Sequence, residues 1–175
     1  KTLVVYNKRH KKYLDKLNLK NALKVVGGKN RQQSVFIALK RIKKMDCKKV
    51  LIHDSARPIP SEKLVGKIIY NLKKNHAVVP LIKINDATKR IKKKTIFKNI
   101  DRGSLRFSQT PQGFTYKKIY EKHQKNLNMS IDDDSTLFTK DKEKIFIING
   151  EKKNLKITDK EDLKIFNLLI RKKII

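Results

Sequence analysis

Apolar residues fall in short bursts along this chain. Leu3–Tyr6, Leu23–Val26, Val50–His53, Ala77–Ile82, Ile145–Ile148 and Leu155–Ile157 are each rich in aliphatic and β-branched residues and bounded by polar stretches. Bursts of this length and composition predict strands. Between the second and third, Val35, Leu39 and Ile42 recur every three to four residues, which predicts a helix from about Arg31 to Lys44 with those side chains on one face. A second helix is predicted from the stripe Leu64, Val65, Ile68, Ile69 and Leu72, with Ser61 as its N-cap. Near the end, Thr158 and Glu161 have the spacing of a capping box, ahead of a helix carrying Leu163, Phe166, Leu169 and Ile170. Strands alternating with helices predict an α/β fold, a mostly parallel sheet flanked by helices.

Residues 83–107 break this alternation. They are charge-rich and strand-like, carry no helical stripe, and are too long for an ordinary connection in a compact domain. A protruding β-arm is expected there. A lone hairpin buries little of itself, so the arm points to a partner subunit. The rest reads as one domain over 1–175, without internal repeat or Pro/Gly/Ser linker, and 38% hydrophobic content in 175 residues is enough for one core. No apolar run approaches 18 residues and no secretory leader pattern is visible, so no membrane partner is expected. The single cysteine, Cys47, has no disulfide partner and no Cys/His cluster around it. A reducing, cytoplasm-like compartment is expected. Because the chain opens at Lys1 almost directly on an apolar run, the gene product is expected to begin upstream.

The formal net charge of +29 raises nucleic-acid binding as an alternative, since neutralised phosphates release counterions. However, only eight of the 45 basic residues are Arg, and the lysines are spread over every segment. A solvated lysine-rich surface fits that distribution better than a phosphate-clamping face, and no nucleic-acid partner is expected.

Ligands of open α/β sheets collect at the carboxyl ends of strands, so the residues after each burst are the candidates for chemistry. After the second comes Gly27-Gly28-Lys29-Asn30-Arg31, with Ser34 three residues on. That is either an anion-binding turn at a helix start or a plain tight turn. After the third comes Asp54-Ser55-Ala56-Arg57-Pro58, where Asp and Arg either hold hydroxyls, a metal and a phosphate, or form a structural ion pair. Arg102 in the arm, Thr110-Pro111, the acidic run Asp132–Ser135 and Lys156 complete the set of candidate phosphate and hydroxyl binders.

Six short motifs occur in a fixed order: G-G-x-x-R-x-x-S-V at Gly27–Val35, H-D-x-A-R-P at His53–Pro58, D-R at Asp101–Arg102, T-P-Q-x-F at Thr110–Phe114, D-D-x-S at Asp132–Ser135 and L-K-I-T at Leu155–Thr158. In this series the chain resembles the 2-C-methyl-D-erythritol 4-phosphate cytidylyltransferases of the non-mevalonate isoprenoid pathway. The resemblance implies a Rossmann-like domain in a homodimer whose β-arms interlock. It also implies transfer of CMP from CTP to methylerythritol phosphate, with Mg²⁺ on the triphosphate and no metal ligand assigned in this chain. By similarity, Gly28, Lys29, Ser34 and Ser55 surround the cytidine, and Asp54, Arg57, Arg102, Thr110 and Lys156 surround the sugar phosphate. Arg102 and Lys156 are the implied catalytic cations, Arg102 acting across the dimer.

Several residues depart from the family pattern. No glycine-rich triphosphate loop precedes Leu3, so little turnover is expected of the chain by itself. Asp86-Ala87 with Thr88 stands in place of the arm's usual D-T, Ile131 in place of a Thr, and Lys29 and Ser55 also differ. The nearest alternative is a ribitol-5-phosphate cytidylyltransferase, against which Asp101-Arg102 and the intact A-R-P argue.

Overall fold

The computed structural model describes every residue except 128, 130, 173 and 175. Strand β1 (Thr2–Tyr6) runs parallel to β2 (Ala22–Val26), with Thr2 opposite Ala22 and Tyr6 opposite Val26. The single turn α1 (Lys11–Leu14) lies in the connection between them. Helix α2 (Arg31–Ile42) starts where the apolar period predicts, capped by Asn30, whose side chain accepts the Gln33 N–H at 2.8 Å. After β3 (Lys49–Ile52) comes α3 (Glu62–Asn71), capped by Ser61 through the Leu64 N–H at 3.0 Å, as expected.

Strand β4 (Ala77–Lys83) leads into β5 (Thr88–Lys92) and β6 (Thr95–Ile100), an antiparallel hairpin forming its own two-stranded sheet. The hairpin is the strand-like excursion expected over 83–107. Lys93 takes φ 53° at its tip, and Ile91, Ile96 and Phe97 are exposed on it. The chain returns through β7 (Arg106–Ser108), β8 (Gln112–Thr115), α4 (Tyr116–Lys125), α5 (Thr136–Lys140), β9 (Phe146–Asn149) and α6 (Lys160–Arg171).

The main sheet corrects the expectation of mostly parallel pairing. β3–β8, β4–β8 and β4–β7 are antiparallel, and only β4–β9, besides β1–β2, is parallel. The cause is the connection. Between β4 and β8 the chain makes a hairpin excursion with no crossover helix, and such a return delivers an antiparallel strand. Two further expectations also change. Leu155–Ile157 is not a strand; it is tied down by the Ile157 N–H donating to the Ala56 carbonyl at 2.8 Å. The cap of α6 is Asp159, which accepts the Asp162 N–H at 2.8 Å, while Thr158 donates to the Asp162 carboxylate from one residue earlier.

Alternation along the strands divides the core in two. Val50 and Ile52 pack with Leu39, Ala77, Phe114, Ile119, Ile131, Leu137 and Phe138 on the α2/α4/α5 face. Leu51 and Val78 pack with Leu64, Ile68 and Leu72 beneath α3 on the other. Helices thus cover both faces of the β3–β8–β4 sheet. Gly113 lets α3 lie directly on that sheet, since a Cβ there would stand 2.3 Å from Ile68 Cγ2.

Candidate active site

A channel of about 1040 Å³ runs between β1 and β3, each of which pairs on one side only among the described residues. Leu3, Val5, Val50 and Ile52 line its walls with Leu39 of α2, and Asp54, Ser55 and Lys156 also line it. Beside it, at the ends of β1 and β2, lies a hollow of about 300 Å³ bounded by Tyr6, Gly27, Gly28, Lys29, Asn30 and Ser34. Ser34 lines both.

The Gly-Gly turn is stitched to the start of α2. The Gly28 N–H donates to Ser34 Oγ at 3.0 Å, the Ser34 hydroxyl donates to the Asn30 carbonyl at 2.8 Å, and the Lys29 N–H donates to Gln33 Oε1 at 2.9 Å. The fit requires glycine, because a Cβ on Gly28 would stand 2.5 Å from Gln33 Cβ. Both amides of the turn are therefore satisfied from within the chain.

At the end of β3, Thr110 organises the loop. The Asp54 N–H donates to Thr110 Oγ1 at 3.0 Å, and the same oxygen lies 3.0 Å from His53 Nδ1. His53 Nε2 is 2.8 Å from the Arg57 carbonyl, which can only accept, so Nε2 carries a hydrogen. In the neutral ring Nδ1 is then bare, and the Thr110 hydroxyl donates to it. Thr110 is buried and spends its proton inward. Thr110→Val strips the Asp54 N–H of its acceptor and is expected to lose about 1–3 kcal/mol of stability. Thr110→Ser should keep most of it in chemical denaturation, and equal losses would assign the effect to the methyl group instead.

Arg57 also faces inward. Its Nη1 donates to the Asn154 carbonyl at 2.8 Å and its Nη2 to the Ser108 carbonyl at 3.3 Å. Burial pushes this guanidinium down, partly opposed by Asp54. Asn154, fully buried, donates in turn to the Thr110 carbonyl at 2.7 Å. The Asp54 carboxylate stands between two cations, with Arg31 Nε 3.7 Å from one oxygen and Lys156 Nζ 3.3 Å from the other. Arg102 lies apart, at the base of the β5–β6 hairpin, where it donates to the Asn85 carbonyl.

Residues 1–172 match the family model described as 2-C-methyl-D-erythritol 4-phosphate cytidylyltransferase. The chain belongs to this family. It is 44% identical over 169 residues to the bifunctional enzyme IspD/IspF of Pelagibacter ubique, covering 97% of this chain and 45% of that protein. It is 38% identical over 148 residues to the 2-C-methyl-D-erythritol 4-phosphate cytidylyltransferase of Prochlorococcus marinus strain MIT 9301, covering 83% of this chain and 66% of that protein. The chain thus spans under half the length of the bifunctional relative. Among solved structures, the 4-diphosphocytidyl-2C-methyl-D-erythritol synthase of Anaerococcus prevotii superposes with a TM-score of 0.86 at 32% identity, covering 97% of this chain and 78% of that one.

Of the residues singled out by family motifs, the fold gathers Asp54, Ser55, Thr110 and Lys156 at one strand end and Gly28, Lys29 and Ser34 at the next. Three contributors had been given no role of their own. Arg31 and His53 were visible only as motif letters, Arg31 also as a cation near a helix start. Asp134 was visible only as one of the acidic run Asp132–Ser135, in the variable position of D-D-x-S.

Proposed function

We propose that the protein containing this chain transfers CMP from CTP to 2-C-methyl-D-erythritol 4-phosphate and releases pyrophosphate. The observation that carries the reading is the Asp54–Lys156 pair at the end of β3, flanking a channel beside the Gly-Gly turn. A phosphate oxygen of the sugar phosphate attacks the α-phosphorus of CTP, the bond to the bridging oxygen of pyrophosphate breaks, and that oxygen leaves with its electron pair. Such a transfer needs positioning and charge neutralisation more than covalent help. The nucleophile is already ionised, so no side chain has to remove a proton. Lys156 supplies a mobile positive charge at the incoming phosphate, and Asp54 accepts from hydroxyls of the polyol.

The cytidine takes the hollow at Gly28, Lys29 and Ser34, with Ser55 across the channel. Arg57 acts by holding the loop from inside. The channel between β1 and β3 has an apolar lining of Leu3, Val5, Leu39, Val50 and Ile52, which suits one further strand. Mg²⁺ belongs with the triphosphate in this reading. Among the described residues no cluster of three or more His, Cys, Asp or Glu side chains could hold a metal, and both Asp54 oxygens face cations. The exposed Ile91, Ile96 and Phe97 of the β5–β6 hairpin suit burial against a second copy, which would carry Arg102 toward the partner's site.

The test is pyrophosphate release by the full-length protein with CTP and either methylerythritol phosphate or ribitol 5-phosphate. Turnover with the first at least tenfold above the second is expected. Preference for ribitol 5-phosphate, or no release with either, rejects the assignment. Among the described residues no helix is long and apolar enough to cross a membrane.

A further inference from the structure

Asp134 immediately precedes Ser135, the N-cap of α5, and its side chain is wholly buried. Its oxygens are divided between two donors: Arg31 Nη2 donates to Oδ2 at 2.6 Å, and His123 Nε2 donates to Oδ1 at 2.9 Å. Burial by itself would raise this carboxyl, but the His123 hydrogen bond and the Arg31 charge outweigh it and hold it below the usual range. The ion pair is therefore ionised inside the core, where loss of one partner leaves an uncompensated charge.

The division of the oxygens has a geometric consequence. An arginine whose task is to neutralise one carboxylate commonly sets its planar fork across both oxygens. Here His123, itself fully buried and stacked on Phe36 with centroids 6.4 Å apart, occupies one of them. Arg31 is confined to a single contact with Asp134, and its Nε edge is turned to Asp54 Oδ1 at 3.7 Å. Its remaining nitrogen, Nη1, is buried without a hydrogen-bond partner. A line of polar contacts thus runs from His123 in the core through Asp134, Arg31 and Asp54 to Lys156 at the site.

We infer that Asp134 and Arg31 are positioning residues: the buried carboxylate fixes the guanidinium, and the guanidinium fixes the Asp54 carboxylate that receives the polyol hydroxyls. The ligand of Asp54 rests on the function proposed above, whereas the coupling between the three side chains does not. Lysine at position 31 keeps the charge but cannot span two carboxylates. In the full-length protein, Arg31→Lys is expected to raise the KM for methylerythritol phosphate roughly tenfold, the scale of a small misplacement in a site, with the KM for CTP within twofold of the parent. A purely structural Arg31 would leave both unchanged or raise them together, and either result overturns the inference.

The second readout needs no turnover. The Nε–H of Arg31 should give a resolved, slowly exchanging signal in ¹⁵N spectra, displaced by Asp54→Asn and lost in Asp134→Asn. A signal unmoved by Asp54→Asn overturns the coupling even in a protein that turns over normally. A displaced signal in a protein inactive with every polyol phosphate upholds the coupling and rejects the proposed substrate instead.

Discussion

Lys156→Met in the full-length protein is expected to lower kcat/KM for the proposed cytidylyl transfer by about 10²–10³, the loss typical when one charge-stabilising group is removed from such a site. Methionine retains an unbranched apolar stem of similar reach while deleting the charge. The position of Lys156 is set by its neighbours in the chain, so the backbone should hold. Asn154 is anchored by its side chain to the Thr110 carbonyl at 2.7 Å, and the Ile157 N–H by the Ala56 carbonyl at 2.8 Å. Lys156 is itself 46% exposed. Partly exposed ion pairs contribute about 0–1 kcal/mol, so the melting temperature should hardly move. The two measurements together discriminate. A large fall in kcat/KM with an unchanged melt is the expected result, and an unchanged kcat/KM would leave Lys156 as a surface partner of Asp54 with no part in catalysis.

Phe114→Ala is expected to give the largest loss of stability. Phe114 has no solvent exposure, lies opposite both Val50 and Ala77 in the sheet, and stacks on Phe138 with centroids 5.3 Å apart. Truncating a buried phenylalanine costs about 3–5 kcal/mol, lost burial and residual cavity together. At about 2–4 °C per kcal/mol for a chain of this size, the melting temperature should fall by roughly 10 °C. The loss should reach the site as well, because β8 joins β3 to β4 and Thr110 lies just before it. Calorimetry on the parent and the variant checks this. A loss below about 1 kcal/mol would mean that the core closes over the gap and that β8 is not the centre of the sheet's stability.

The apolar bursts made β1 to β4 and β9 legible, and the three-to-four-residue stripes made α2, α3 and α6 legible; α2 and α3 bury their stripes in the core through Leu39, Leu64 and Ile68, whereas α6 has no buried residue. β8 escaped notice since Gln112, Gly113, Phe114 and Thr115 form no aliphatic or β-branched run, and Gln112 is buried by pairing with Ser108 and Ser135. The stripe of α4 was obscured for a similar reason. Lys122 and His123 sit on its buried face, Lys122 between Asp141 at 2.5 Å and Glu143 at 3.0 Å, and His123 on Asp134. Polar residues buried with partners look like surface when only the sequence is read.

The Asp54 strand end divides in the same way. That a strand stops before Asp54, that a Gly-Gly turn opens α2, and that their motifs follow the order of one family can all be read along the chain, since composition, period and local turn chemistry act over a few neighbouring residues. That three ladders of the main sheet run antiparallel, that Arg57 turns inward, that Thr110 holds the Asp54 amide, and that Asp134 reaches Arg31 from 103 residues away emerges only in the folded chain. Those outcomes depend on which donors and acceptors meet once the layers pack, and charge pairing across such separations leaves no periodic trace in the chain.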